Sequence, residues 1–83
     1  MSAEDQIEKA ILEVIGGIAP EADLDHLDPA QRFRDQFDFD SVDFVNFAAA
    51  LQEKLNATIP EQDYPQLATL KSAVAYLRTK TNV

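Results

Sequence analysis

The chain of 83 residues contains no cysteine, and basic residues are few. Without cysteine, neither a disulfide framework nor a thiolate metal site can form, so any thiol chemistry must come from an attached group. Seven lysines and arginines stand against fifteen aspartates and glutamates, for a formal net charge of −8. This balance argues against binding to nucleic acid or to an anionic membrane surface, and it favours partners with basic patches.

Long apolar runs and targeting signals are also missing. No run approaches the length that crosses a membrane, and the acidic N-terminus lacks the positive and apolar regions of a signal peptide. With 46% hydrophobic residues, the chain is nevertheless too apolar to be disordered. The absence of repeats and linkers predicts one domain spanning residues 1–83, and we expect a cytoplasmic monomer.

Apolar residues recur at helical spacing in three segments, and no segment alternates with the period of a strand. A capping-box pattern at residues 2–5 opens the first helix, which Gly16 and Gly17 should end. The central helix begins near Ser41 and ends at Asn56, and Thr69 caps the last helix. The sequence therefore predicts an all-α fold, a small antiparallel bundle of three main helices.

One or two short helices should complete this bundle. Asp28 followed by Pro29 predicts a short helix over residues 29–35. A second short turn of helix should follow Ile59, and Pro65 should cut it off. The apolar face of the last helix contains Leu77 and its neighbours, and Tyr76 is expected at the edge of that face.

Ser41 lies at the start of the central helix between the carboxylates of Asp38, Asp40 and Asp43. The chain has one histidine, His26, and no G-x-S-x-G elbow, so a self-contained serine enzyme is not expected. An EF-hand register starting at Asp38 puts Asp43 at the glycine position and alanine at the glutamate position, so no metal site is predicted. An ordinary helix cap and a modified serine both remain open, since a helix N-terminus favours an attached phosphate.

The segment Asp40-Ser41-Val42 resembles the Asp-Ser-Leu signature at which acyl carrier proteins receive 4′-phosphopantetheine. Residues 33–37 resemble the phenylalanine and the Glu-Asp-Leu run that precede that signature. Residues 56–60 resemble the family's Asp-x-x-Ile-Pro turn, and residues 69–77 resemble its last helix. The resemblance covers nearly the whole chain, with consistent spacing after residue 33.

This resemblance implies a carrier function. Ser41 would hold 4′-phosphopantetheine, derived from coenzyme A, and the thiol of that arm would hold acyl groups as thioesters. The protein itself would catalyse nothing. Its implied partners are a phosphopantetheinyl transferase and acyl-loading and acyl-transferring enzymes with basic surfaces, in fatty-acid, lipid or polyketide-type synthesis.

The resemblance also implies a partner-recognition surface around Ser41, formed by Asp38, Asp40, Val42, Asp43, Asn46 and Glu53. The chain departs from the family pattern there, with Asp38 in place of a glycine and Val42 in place of a leucine. In carriers of fatty-acid synthesis, the exposed face of this helix is rich in glutamate. Here the same face has fewer acidic residues, because it includes Asn46, Ala49, Gln52 and Lys54. We therefore expect a specialised member with dedicated partner enzymes.

The buried stripe of the central helix is the expected acyl pocket, formed by Phe44, Phe47, Ala48 and Leu51. An apolar stripe of this kind usually packs in the core of a bundle, and that is the favoured interpretation. The alternative hypothesis is that long acyl chains are partly sheltered against Ala48 and Leu51. The alternative to a carrier is an unmodified helical interaction domain that retains the fold without using Ser41.

The excess of acidic residues predicts a salt-dependent stability. Fifteen acids on a small body repel one another, and salt or divalent cations screen that repulsion. We expect the melting temperature to rise from low to moderate salt, measured by circular dichroism. A melting temperature that stays flat over this range would contradict the prediction.

Overall fold

The computed structural model describes residues 3–37 and 39–80, and within them the chain forms an all-α fold. The α-helices are α1 (Ala3–Ile18), α2 (Phe33–Gln36), α3 (Ser41–Leu55) and α4 (Leu70–Lys80). Two 3-10 helices lie between them, the first at Leu24–His26 and the second at Glu61–Leu67. The predicted class, three main helices with short ones, is confirmed.

One hydrophobic core lies between α1, α3 and α4, because α1 packs against both other long helices. Each long helix contributes the residues of one face, at spacings of three and four that place them on the same side. The connection between α1 and α3 adds two phenylalanines. The largest fully buried side chains are those of Ile7, Ile11, Ile15, Phe33, Phe47, Leu51, Leu67 and Leu77.

The first helix does not end at the two glycines, so the predicted stop at Gly16 and Gly17 is wrong. Ile15, just before the glycines, and Ala19, just after the end of the helix, are both buried, and the amide of Ala19 donates to the carbonyl of Ile15 at 2.7 Å. A glycine costs a helix only about 1 kcal/mol relative to alanine, which the burial of an isoleucine offsets. The predicted cap at residue 2 lies outside the described residues.

The short helix in the long connection begins later than predicted, at Phe33 instead of Pro29. Asp28 makes a turn instead, because its side chain accepts a hydrogen bond from the amide of Ala30 at 2.9 Å. The carbonyl of Pro29 accepts from the amide of Lys71 at 2.9 Å. This segment is therefore held by the start of α4 rather than by a helix of its own.

Pro65 does not end the second 3-10 helix, as was predicted, but lies inside it. The fixed φ of proline, near −65°, lies within the range of a 3-10 helix, so the ring fits where it would break an α-helix. The carbonyl of Pro65 still accepts a hydrogen bond from the amide of Ala68 at 3.3 Å. The helix therefore continues to Leu67.

The predicted ends of the later helices are confirmed. Asn56 ends α3 in the left-handed conformation, with a φ of 51°, and its amide donates to the carbonyl of Gln52. Thr69 caps α4, because its hydroxyl oxygen accepts from the amide of Ser72 at 3.0 Å. The left-handed conformation suits asparagine better than most residues, which is why this signal could be predicted locally.

Tyr76 is buried in the core, with 7% of its surface exposed, and the prediction that it lies at the edge of the apolar face is wrong. Its hydroxyl donates to the Oδ2 of Asp63 at 2.7 Å. This hydrogen bond joins α4 to the second 3-10 helix, and it provides a partner for a hydroxyl that burial would otherwise leave unpaired.

A capping box sets the start of α3. The Oδ1 of Asp40 accepts from the amide of Asp43 at 2.8 Å, and the Oδ2 of Asp43 accepts from the amide of Asp40 at 3.3 Å. Each carboxylate thus satisfies an amide that the helix leaves without a partner, at the positive end of the helix dipole. Asp40 is the N-cap, and Ser41 is the first residue inside the helix.

The capping box predicts a stability cost for Asp40→Ala. Loss of the side-chain acceptor should lower the free energy of unfolding by about 1 kcal/mol, measured by urea denaturation. Asp40→Asn retains a capping oxygen and is the matched control, which should lose much less. An equal loss in both variants would show that the charge of Asp40, rather than its capping hydrogen bond, is what matters.

The Tyr76–Asp63 hydrogen bond predicts a loss of stability at high pH. Burial, and then the hydrogen bond and charge of Asp63, raise the pKa of Tyr76 to about 12. The folded state therefore holds this proton more tightly than the unfolded state, so the stabilisation is complete below about pH 10 and is lost as the pH rises toward 12. The loss should reach on the order of 3 kcal/mol at most.

Urea denaturation of the wild type and of Tyr76→Phe, from neutral pH to about pH 11, checks this expectation. The variant lacks the titrating hydroxyl, so its free energy of unfolding should fall less steeply in this window. Tyr64 is present in both proteins and its effect cancels in the comparison. Parallel curves for the two proteins would contradict the prediction.

Candidate functional site

Ser41 lies at the start of α3 with an exposed side chain. Among residues 3–37 and 39–80, no hydrogen bond engages its hydroxyl. The capping hydrogen bonds are made by Asp40 and Asp43 instead. Of the two interpretations left open by the sequence, the helix cap is therefore not the role of Ser41, and its hydroxyl is available to an incoming reagent.

The electrostatic surroundings of Ser41 combine opposing effects. The N-terminus of the 15-residue helix α3 carries partial positive charge, which stabilises an attached anionic group. The carboxylates of Asp40 and Asp43 repel such a group, but both accept hydrogen bonds from backbone amides within the capping box. A phosphodiester on Ser41 would therefore lie beside carboxylates whose charge the helix N-terminus already partly offsets.

An open groove of about 530 Å³ lies beside Ser41, between α2, the start of α3 and the second 3-10 helix. Ser41 itself lines this groove, so a group attached to the serine is tethered at its edge. The rest of the lining combines aromatic and aliphatic side chains with two arginines and one aspartate, and consists of Arg32, Phe33, Arg34, Phe39, Asp40, Phe44, Val45, Tyr64, Pro65 and Ala68.

The two arginines of the groove differ in their partners. The Nε of Arg32 lies 2.9 Å from the Oδ2 of Asp35, one turn along the same helical segment. Arg34 is exposed and makes no ion pair within the described part of the chain. Arg34 is therefore the cation in the groove whose charge is least compensated by those residues.

The floor of the groove belongs to a cluster of six aromatic rings. Phe33 and Phe47 lie at its centre, 5.5 Å apart between ring centroids and nearly perpendicular. Phe44 contacts Tyr64 across the gap between α3 and the second 3-10 helix, at 6.1 Å. These edge-to-face arrangements are the geometries that aromatic rings prefer. The remaining members are Phe37 and Phe39.

The structure separates the residues predicted to form an acyl pocket. Phe47, Ala48 and Leu51 have no exposed surface and belong to the core. Phe44 is half-buried and lines the groove together with Ser41. Neither Ala48 nor Leu51 belongs to the lining of the groove.

The outer face of α3 is apolar next to Ser41. Val42 is 65% exposed and Val45 is 52% exposed, and Asn46, Ala49 and Glu53 continue this exposed face along the helix. Sequence reasoning missed Val45, although its position one turn after Ser41 on the polar side of the helix is a signal that could have found it. Asp38, also predicted to meet partners, lies outside the described residues.

Two of the residues expected to lower the negative charge of this face make contacts elsewhere. The Nζ of Lys54 lies 2.7 Å from the Oε2 of Glu13, so Lys54 faces α1. Gln52 is half-buried, and its Oε1 accepts from the amide of Ile59 at 3.2 Å. Gln52 is therefore held against the turn after α3, whereas Lys54 remains exposed while it pairs with Glu13.

The groove contains no histidine. His26 lies on the first 3-10 helix, exposed, with its Nδ1 2.7 Å from the Oδ2 of Asp23. That hydrogen bond, and the charge of Asp23, raise the pKa of His26. Over residues 3–37 and 39–80, no group of three or more metal-ligating side chains is assembled, and no helix is long and apolar enough to span a membrane.

Comparisons with known proteins show the family of this chain. A family model described as the phosphopantetheine attachment site matches residues 7–77. An acyl carrier protein of Chlamydia caviae is 31% identical over 80 residues, which cover 96% of this chain and 97% of the relative. An acyl carrier protein of Helicobacter hepaticus is 34% identical over 55 residues, or 66% of this chain and 72% of the relative. The chain belongs to the acyl carrier protein family.

Proposed function

We propose that Ser41 is the residue that receives the family's cofactor, 4′-phosphopantetheine, and that dedicated enzymes act on acyl groups held by this arm. The observation that carries the proposal is the exposed hydroxyl of Ser41, which the described residues leave without a hydrogen bond, at the start of α3. The groove beside it provides open space for an attached group. The arm supplies a thiol that holds acyl groups as thioesters, and the chain has no cysteine to do so.

The chemistry at Ser41 is a phosphoryl transfer on the surface of a transferase. The Oγ of Ser41 attacks the phosphorus of coenzyme A that bears the pantetheine, and the bond from that phosphorus to the nucleoside bisphosphate breaks. The hydroxyl proton must leave to a base of the transferase, because His26, the histidine of this chain, lies outside the groove. The carrier therefore contributes position rather than catalysis, and we propose that it has no enzymatic activity of its own.

The outer face of α3 supports dedicated partners. Val42 and Val45 expose apolar surface in the first turn and a half of α3 after Ser41, and Asn46 and Ala49 extend this surface without charge. Glu53 lies at the far end of the face, while Asp40 and Asp43 lie at the serine. An enzyme that fits this face needs an apolar centre and basic groups at its two ends, rather than a uniformly basic patch.

The proposed partners are a phosphopantetheinyl transferase and enzymes that load and transfer acyl groups in fatty-acid, lipid or polyketide-type synthesis. We propose the cytoplasm as the compartment and a monomer as the working form. The net charge of −8 supports encounter with partners of opposite charge, at rates that fall as salt rises.

A second candidate function is a helical interaction domain that binds partners without a modification. The exposed Val42 and Val45 favour this candidate as well, because an apolar strip on a helix can bind a protein whether or not Ser41 is modified. The two functions differ in one observable, which is the mass of the protein after exposure to a transferase.

The carrier function predicts a gain of mass on Ser41. After incubation with coenzyme A and a broad-specificity phosphopantetheinyl transferase, intact mass spectrometry should show one added phosphopantetheinyl group. Ser41→Ala should add none, and Ser2→Ala, the matched control, should add one. Since no described residue accepts a hydrogen bond from Ser41, Ser41→Ala should change stability by less than about 0.5 kcal/mol.

No gain of mass with several active transferases would contradict the carrier function and leave the interaction domain. A gain in Ser41→Ala would show that another residue is modified. Circular dichroism of each variant shows whether the helices are intact, so a loss of modification is not confused with a loss of fold.

A further inference from the structure

Two aromatic side chains close the space between α3 and the second 3-10 helix next to Ser41. Phe44 comes from α3 and Tyr64 from the 3-10 helix, and their rings meet at 6.1 Å with an angle of 63°. Behind them, Phe47 contacts Phe44 at 6.0 Å and has no exposed surface. The interior on this side of α3 is therefore filled by rings, and an acyl chain could enter only by displacing them.

The second 3-10 helix is held in place on both sides of Tyr64. The hydroxyl of Tyr76 donates to Asp63, the residue before Tyr64, at 2.7 Å. After the helix, the carbonyl of Ala68 accepts from the amide of Phe33 at 2.9 Å. Moving this helix away from α3 to admit a chain would strain or break these hydrogen bonds.

The groove outside the Phe44–Tyr64 pair offers a different binding site for the acyl group. Its lining includes Phe44 and Tyr64 together with Ser41. A flat aromatic group can pack against these rings in a stacked or edge-to-face arrangement, which stabilises it beyond the burial of its area. A flexible alkyl chain gains no such stacking contact, and the Phe44–Tyr64 pair closes the way between α3 and the second 3-10 helix.

Arg34 completes this binding site at the edge of the groove. It is exposed, and the described residues provide no carboxylate partner for it. A guanidinium stacks on aromatic faces and donates hydrogen bonds to carbonyl oxygens, which are both features of an aromatic thioester. Arg32, which also lines the groove, is paired with Asp35 and is less available for this role.

We propose that the acyl group lies in the groove outside the Phe44–Tyr64 pair, and that this site suits a flat aromatic acyl group rather than a long alkyl chain. The inference rests on the proposed attachment at Ser41. It differs from the hypothesis drawn from the sequence, which places long chains against Ala48 and Leu51. Phe44 and Tyr64 are in this account the residues that determine which acyl group the carrier shelters.

The experiment compares the isotope-labelled protein loaded with a benzoyl arm and with a palmitoyl arm, each transferred from the acyl coenzyme A. Intact mass first confirms loading, so a failure of attachment at Ser41 is seen separately from a failure of this inference. We expect nuclear Overhauser contacts from the benzoyl ring to the rings of Phe44 and Tyr64. With palmitoyl, the methyl signals of Ala48 and Leu51 should match those of the unacylated protein.

Removing either ring should open the interior. In Phe44→Ala, the palmitoyl chain should shift the methyl signals of Ala48 and Leu51, and its thioester should hydrolyse several-fold more slowly than in the wild type. Val45→Ala is the matched control, since Val45 lines the same groove but takes no part in the ring cluster. Tyr64→Ala removes the other ring and tests the same opening if Phe44→Ala folds poorly.

Two results would overturn the inference. Palmitoyl contacts with Ala48 or Leu51 in the wild type would show that the interior accepts long chains despite the ring pair. On a protein of the correct mass, a benzoyl group that makes no contacts with Phe44 and Tyr64 would show that the groove is not its binding site. Arg34→Gln should weaken the benzoyl contacts, whereas Arg32→Gln should leave them unchanged.

Discussion

The contact between Phe33 and Phe47 is the interaction on which the rest of the structure depends. The chain has no disulfide and a small core, so the connection between α1 and α3 must be held by packing. Both rings are fully buried at 5.5 Å, and the amide of Phe33 also binds the carbonyl of Ala68. One residue thus holds the connection against α3 and against the start of α4, and removal of such a ring typically costs about 3–5 kcal/mol.

The position of Ser41 follows from this arrangement. The ring of Phe39, packed against Phe47, brings the chain to the start of α3, and Asp40 then begins the helix. Because Asp40 and Asp43 satisfy the first amides, the serine between them has no capping role to fulfil. The carboxylates beside the serine therefore stabilise the helix and leave its hydroxyl accessible, two effects that a serine cap could not combine.

Signals within a few residues of one another could be predicted from the sequence, and contacts between distant residues could not. The start of α3 near Ser41, its end at Asn56 and the cap at Thr69 depend on local hydrogen bonds. The continuation of α1 through Gly16 depends instead on the burial of Ile15. Likewise, the half-buried Phe44 became part of a groove only because Tyr64, twenty positions later, faces it.

The same rings that stabilise the bundle limit what it can shelter. A core built from close-packed aromatic side chains resists the separation of its helices, because Phe39, Phe44 and Phe47 each contact several other rings and these contacts are lost together. A carrier that opens to enclose a chain needs a looser boundary between α3 and the second 3-10 helix. Here the Phe44–Tyr64 contact closes that boundary, and the Tyr76–Asp63 hydrogen bond ties the 3-10 helix to α4, so on the account proposed above an acyl group is left to the groove beside Ser41.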